Sequence, residues 1–198
     1  MQLDERDIQD LAELHQSCLT DSIVGALGAD YVKSFYRYVT RSARELILVE
    51  RNDTGRIVAA AVVSLEPASL NRRLLLHTTL LQSFLKKAPR MIGQLLWPVR
   101  SPSGEIGTSR SRVPAGMPEL ILIYASSDVR GRGMGSALLE RAEQHLRAAK
   151  VTEYQVRTVA DPSNRALAFY RARQFTPAGT SFKQGKFFQV FTRTLDVD

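Results

Sequence analysis

The 198-residue sequence predicts a mixed α/β domain, one sheet with helices on both faces. Three observations carry this prediction. Apolar residues switch repeatedly between helical and strand spacing, turn sequences join two pairs of strands into hairpins, and the length suits one domain covering residues 1–198. Hydrophobic residues at 44% and charged residues at 24% are ordinary globular usage, which excludes long disorder, collagen and a fibrous rod.

The elements follow in order. A very short strand is expected at the start, then a helix from Ile8 to Leu19 with apolar positions Ile8, Leu11, Ala12, Leu14, Cys18 and Leu19 and Asp7 as its N-cap. Asp30 to Val39 is helical and aromatic along one side through Tyr31, Phe35 and Tyr38. Glu45–Glu50 and Arg56–Leu65, joined by Asn52-Asp53-Thr54-Gly55, form an antiparallel hairpin. Ser69 to Trp97 is mostly helical and is interrupted at Pro89; Pro98 to Pro118 is a loop rich in Pro, Ser and Gly.

Glu119 to Ser126 is an apolar run of the length of a buried strand. Ser136 to Lys150 is an amphipathic helix with Ala137, Leu138, Ala142 and Leu146 inward, and Glu153 to Ala160 is a strand. Pro162 to Arg173 is a short helix started by Asp161 or Ser163. Phe175–Lys183 and Lys186–Leu195 flank Gln184-Gly185 as a second hairpin.

Charge and cysteine usage narrow the class. A single cysteine, Cys18, forms no intrachain disulfide, and His15, His77 and His145 are too scattered for zinc, so no metal is expected. The acidic start Met1 to Asp7 and the lack of an apolar run long enough to span a membrane point to the cytoplasm. The net charge of +7 is concentrated: between Ala68 and Gly116 stand Arg72, Arg73, Lys86, Lys87, Arg90, Arg100, Arg110 and Arg112 against Glu105 alone, and the rest of the chain is balanced. Such a cluster attracts an anionic partner. Without a reading motif or interleaved aromatics, nucleic acid is not the expected one; a phosphorylated small molecule or an acidic lipid surface fits equally well.

The chemistry is concentrated where the Glu119–Ser126 strand runs through Ser127-Asp128-Val129-Arg130-Gly131-Arg132-Gly133-Met134-Gly135 into a helix. A glycine-rich turn there exposes main-chain N–H groups at the positive end of the helix, and Gly133 and Gly135 carry no side chain to hold a phosphate away. This is a cradle for a pyrophosphate. It lacks the Gly-Lys-Ser/Thr of a Walker loop and the G-x-G-x-x-G of a dinucleotide fold.

On this R-x-x-G-x-G turn, and on the element order around it, the chain resembles the GNAT superfamily of acetyl-CoA-dependent N-acetyltransferases. The resemblance implies a central twisted mixed sheet and makes residues 68–116 a basic, largely helical insertion before the cofactor-binding strand. It implies acetyl-CoA as co-substrate, held by Arg130, Gly131, Arg132, Gly133, Met134, Gly135 and Ser136, with the backbone of Tyr124 and Ala125 beside the pantetheine arm and thioester. Glu119, six residues before Ala125, matches the position of a general base in several members.

Ser163-Asn164-Arg165-Ala166-Leu167-Ala168-Phe169-Tyr170 resembles the family's N-x-x-A-x-x-F-Y, which makes Tyr170 the acid for the departing thiolate and leaves Ser163 or Asn164 to contact the pantetheine arm. Gln174 stands where the family has glycine, so the turn before Phe175 must use another geometry or accept strain.

The insertion is the main candidate for acceptor recognition. Its run Leu74, Leu75, Leu76, Leu80, Leu81, Phe84 and Leu85 either packs on the sheet or forms a homodimer surface. The expected reaction is acetyl transfer to a primary amine of a small, anionic molecule such as an amino-sugar nucleotide. The alternatives are a protein lysine or N-terminal acetyltransferase and a non-catalytic acyl-CoA-binding module.

Overall fold

A computed structural model describes residues 3–19, 28–76, 113–114, 116–183 and 185–196. The elements are α1 (Glu5–Cys18), α2 (Ala29–Val39), β1 (Glu45–Arg51), β2 (Ile57–Ser64), α3 (Pro67–Leu76), β3 (Glu119–Ala125), α4 (Met134–Ala148), β4 (Glu153–Val159), α5 (Arg165–Arg171), β5 (Thr176–Lys183) and β6 (Lys186–Thr194). A short 3-10 turn, Ser127–Val129, precedes α4.

Two local expectations are corrected at the start of the chain. Leu3 and Asp4 are not in a strand, and the N-cap of α1 is Asp4 instead of Asp7. Asp4 Oδ1 accepts from Asp7 N–H (2.8 Å) while Asp7 Oδ2 accepts from Asp4 N–H (3.2 Å), a reciprocal capping box that satisfies two otherwise orphaned donors. With two acids three residues apart, spacing to the first apolar residue favoured the second, whereas the backbone donors select the first.

The sheet order is β1-β2-β3-β4-β6-β5, with β3 and β4 parallel and every other neighbouring pair antiparallel. Both expected hairpins are present. Asn52 Oδ1 accepts from Thr54 and Arg56 N–H in the first, and Lys183 faces Lys186 across the two-residue loop of the second.

Each face of the sheet carries its own core. Against one face α1 and α2 place Ile8, Leu11, Phe35, Tyr36 and Val39 on Val62 and Tyr124; against the other α4 and α5 place Leu138, Leu139, Leu146 and Tyr170 on Leu120, Val156 and Phe191. The split follows strand alternation, which sends Val62 and Val63 to opposite sides. Leu70 and Leu74 of α3 are buried in the first core, so these two members of the insertion pack inward. Leu80, Leu81, Phe84, Leu85, His77, and the basic residues from Lys86 to Arg112 lie outside the described residues.

One irregularity positions the site. β3 pairs with β4 only at Glu119↔Gln155 and Leu120↔Val156. Opposite β2 the register shifts, Val62 facing Leu122 and Val63 facing Leu120, so Ile121 is an extra residue that bends β3. Beyond Leu120 the two parallel strands separate into a wedge open toward the carboxyl end of β3.

Candidate active site

The turn at the wide end of the wedge has the geometry of an anion cradle. Gly133 is the N-cap of α4 with φ +83, and Gly131 has φ +79, both in the left-handed region that glycine enters without penalty. The first helical bonds run from Ser136 and Ala137 N–H to Gly133 C=O (2.9 and 3.0 Å), leaving the N–H groups of Gly133, Met134 and Gly135 ahead of the hydrogen-bonded ladder. No acidic residue occupies the first turn of α4, and Arg130 and Arg132 are exposed beside it. Helix dipole and side-chain charge therefore favour the same sign of ligand.

The two motif glycines serve different ends. A Cβ on Gly133 would meet nothing within 4 Å, so glycine there is conformational and keeps the cradle open. A Cβ on Gly135 would lie 3.3 Å from the Phe169 ring, so glycine there admits α5 against α4. Arg173 stacks on the same ring at 3.8 Å and donates to Ser136 Oγ, which ties the expected cofactor residue Ser136 to the end of α5.

Along β3, Ser126 N–H donates to Val58 C=O (2.9 Å), and Ala125 and Ile123 face Ala59 and Ala61. Antiparallel pairing alternates, so the main chains of Ile123 and Ala125 turn away from β2 toward the wedge, while that of Tyr124 bonds to β2. Ala125 C=O accepts from Arg130 Nε (3.0 Å) and from Cys18 Sγ (3.3 Å). Cys18, 107 residues away in sequence, thus ends α1 at the tip of this strand, a neighbour that sequence separation concealed. Ile123 was likewise missed; the register, not its side chain, is the signal.

The side chain of Tyr124 lies in the first core. Its hydroxyl is hydrogen-bonded to that of Tyr36, which is 2.8 Å from His15 Nδ1. All three are buried, and the His15 ring contacts both tyrosines edge-on at 5.8 Å. Burial lowers His15 to about 4 and pushes both phenols up.

Glu119 and Tyr170 lie on opposite faces of the sheet. Tyr170 belongs to the core that contains Leu120 and Val156, the last pair before the strands part, enclosed by Phe169, Phe175 and Phe191. Burial pushes its phenol up, so it stays protonated at neutral pH. Glu119 precedes Leu120 and therefore points to the other face. It is 9% exposed, and its Oε2 accepts from Arg157 Nη2 at 2.8 Å across to β4. Sequence reading missed Arg157, although its position two residues after Gln155 in an alternating strand puts both on one face.

Ser163 and Asn164 are now distinguishable. Asn164, and neither Asp161 nor Ser163, caps α5: its Oδ1 accepts from Ala166 N–H (3.0 Å), and its Nδ2 donates to Thr158 Oγ1 and Val159 C=O, both at 2.8 Å. Ser163 Oγ donates to exposed Asp161 (2.7 Å). At the far end of α5, Gln174 adopts φ +60, so the missing glycine leaves its conformation in place and a glutamine carries the strain.

Residues 8–175 match the sequence pattern of the acetyltransferase (GNAT) family. The chain belongs to that family. It is accordingly an acetyl-CoA-dependent N-acetyltransferase, and the fold recurs in solved members. A structure described as an acetyltransferase aligns with TM-score 0.64 at 18% identity over 99% of this chain and 98% of that one. The ribosomal-protein-S18-alanine N-acetyltransferase of Escherichia coli aligns at 0.59 and 14% over 100% and 94%, and Arabidopsis thaliana NAA60 with a bisubstrate analogue at 0.60 and 10% over 100% and 98%. No curated protein matches the sequence. Among the described residues no helix is long and apolar enough to cross a membrane, and no His, Cys, Asp and Glu group suits a metal ion.

Proposed function

We propose that this GNAT enzyme transfers acetyl from acetyl-CoA to a primary amine of a small anionic molecule, by direct attack in a ternary complex. The wedge carries the reading: a parallel pair that parts after two register positions, with an anion cradle at its wide end and the Glu119 carboxylate at its apex. The diphosphate of coenzyme A rests on the N–H groups of Gly133, Met134 and Gly135 with Arg130, Gly131 and Arg132 around it. The pantetheine arm runs past the Ile123 and Ala125 backbones, where Ser163 is the freer of the two polar candidates because Asn164 is committed to its cap.

The lone pair of the neutral amine attacks the thioester carbonyl carbon to form the C–N bond, and Glu119 takes the proton that this nitrogen then sheds. As the C–S bond breaks, sulfur leaves with its electron pair and takes a proton from the Tyr170 hydroxyl. The concentration of positive charge over 68–116 favours an acceptor with anionic groups, an amino-sugar nucleotide being one example. A peptide α-amine is the second arm of the test, since a structural neighbour is named for acting on a ribosomal-protein alanine.

Thiol release from acetyl-CoA, followed with amino-sugar nucleotides and with short peptides, tests the proposal. Glu119→Gln should lower kcat about 100-fold or more at neutral pH, with Tyr170→Phe showing a smaller loss, and both should still bind CoA. Amine-independent thiol release in the wild type, or full turnover by Glu119→Gln, would refute it.

A further inference from the structure

Outside 68–116 the charges balance in sum but not in place. From Pro162 to Leu195 the bases Arg165, Arg171, Arg173, Lys183, Lys186 and Arg193 are met by no Asp or Glu. Arg193 is spent on Glu143, and Arg173 on Ser136 and the Phe169 ring, but Arg165, Arg171 and Lys186 are exposed. Phe182 (45%) and Phe187 (63%), at the turn end of the β5–β6 hairpin, are the exposed large apolar side chains among the described residues. They face each other in register with ring centroids 4.8 Å apart, which makes them one apolar tip. Alternation puts Phe187 on the strand face of Gln189, and Gln189 borders one cleft with Arg165 and Arg171 of α5. Tip and guanidinium groups therefore belong to the same side of the molecule.

We infer that this side docks on an anionic lipid surface, with Phe182 and Phe187 entering among the headgroups and Arg165, Arg171 and Lys186 on the lipid phosphates. An apolar tip flanked by cations complements a bilayer that sets apolar depth beneath a plane of negative charge. An apolar peptide anchor needs a groove to enter, whereas these rings stand at the end of a hairpin. A second copy of the chain would bring the same uncompensated positive charge against itself. Single-stranded nucleic acid stacks on open ring faces, and these two rings lie against each other. Two phenylalanines and a few bases give reversible, peripheral attachment. The inference is separate from the acetyl-transfer reading, in which neither phenylalanine takes part.

Sedimentation of the full chain with vesicles of phosphatidylcholine, alone or with about 30% phosphatidylglycerol, tests it. The wild type should bind the anionic vesicles about tenfold or more tightly than the neutral ones, and added salt should weaken that binding. Phe182→Ser combined with Phe187→Ser should cost about tenfold or more in anionic binding while thiol release from acetyl-CoA stays unchanged. Arg165→Gln combined with Arg171→Gln should cost a similar factor. Circular dichroism checks that both pairs keep the fold. Phe187→Trp, read against the wild type, should add indole fluorescence that brominated acyl chains quench, which adsorption by charge alone would leave bright. Equal binding to both vesicles, an unquenched indole, or full binding by either double variant overturns the inference, the last assigning the contact to another basic stretch such as 68–116. Self-association or RNA binding that the serine pair abolishes, with no vesicle binding by the wild type, overturns it in favour of that partner.

Discussion

His15 is a titratable group with no surface exposure, and its protonation links the first core to pH. Unfolded, the imidazole takes a proton near pH 6.5; folded, burial delays this to about 4. Between those values the unfolded chain binds the extra proton. The contribution of neutral His15 is therefore complete above pH 6.5 and is lost as pH falls toward 4, by up to about 3 kcal/mol. Urea unfolding at pH 7.5, 5.5 and 4.0 should show this loss, and His15→Gln should remove most of it. An unchanged acid limb in the variant would assign the loss to other groups. Little of this was readable beforehand: the helical spacing put His15 in no special place, because its partners Tyr36 and Tyr124 come from elements far along the chain. The same holds for Cys18 and Arg157, whose roles depend on which strand end or strand face the fold brings to them.

At the scale of elements, the strand, turn and helix around Gly133 were legible because local chemistry alone dictates them: an apolar run, residues able to adopt positive φ, and an amphipathic repeat. Helix caps were less so, since Asp4 over Asp7 and Asn164 over Asp161 or Ser163 are decided by single hydrogen bonds among several eligible side chains. The turn itself yields a graded expectation. Gly133→Ala and Gly133→Asp impose a similar backbone strain, about 1 kcal/mol, and neither meets a neighbour within 4 Å. Calorimetry with CoA should show the alanine variant binding about tenfold more weakly. The aspartate variant should lose a further tenfold or more, because its carboxylate takes the place of the phosphate at the helix end. Equal losses would mean that Gly133 matters only for backbone shape.

For the whole molecule, element order and the single-sheet architecture followed from periodicity, but the wedge did not. Its angle arises from the register shift at Ile121 and the brevity of the β3–β4 ladder, properties of pairing between strands separated by α4. A ligand seated there should act on the β3 backbone selectively. Hydrogen exchange with saturating CoA is expected to slow at the amides of Ile123 and Ala125 more than across β5 and β6, which pair with each other on both sides of a single irregularity at Pro177/Gly179. A uniform slowing over both regions would place the ligand elsewhere.

The short ladder also bears on turnover. Two plates of sheet, β1-β2-β3 and β4-β6-β5, are riveted at one end by two rungs and by Glu119 with Arg157. In the proposed complex the spent carrier lodges between them as a second rivet. Substitutions that stiffen the riveted end should then slow carrier release, read as a lower CoA off-rate in stopped flow, even where the chemistry is untouched.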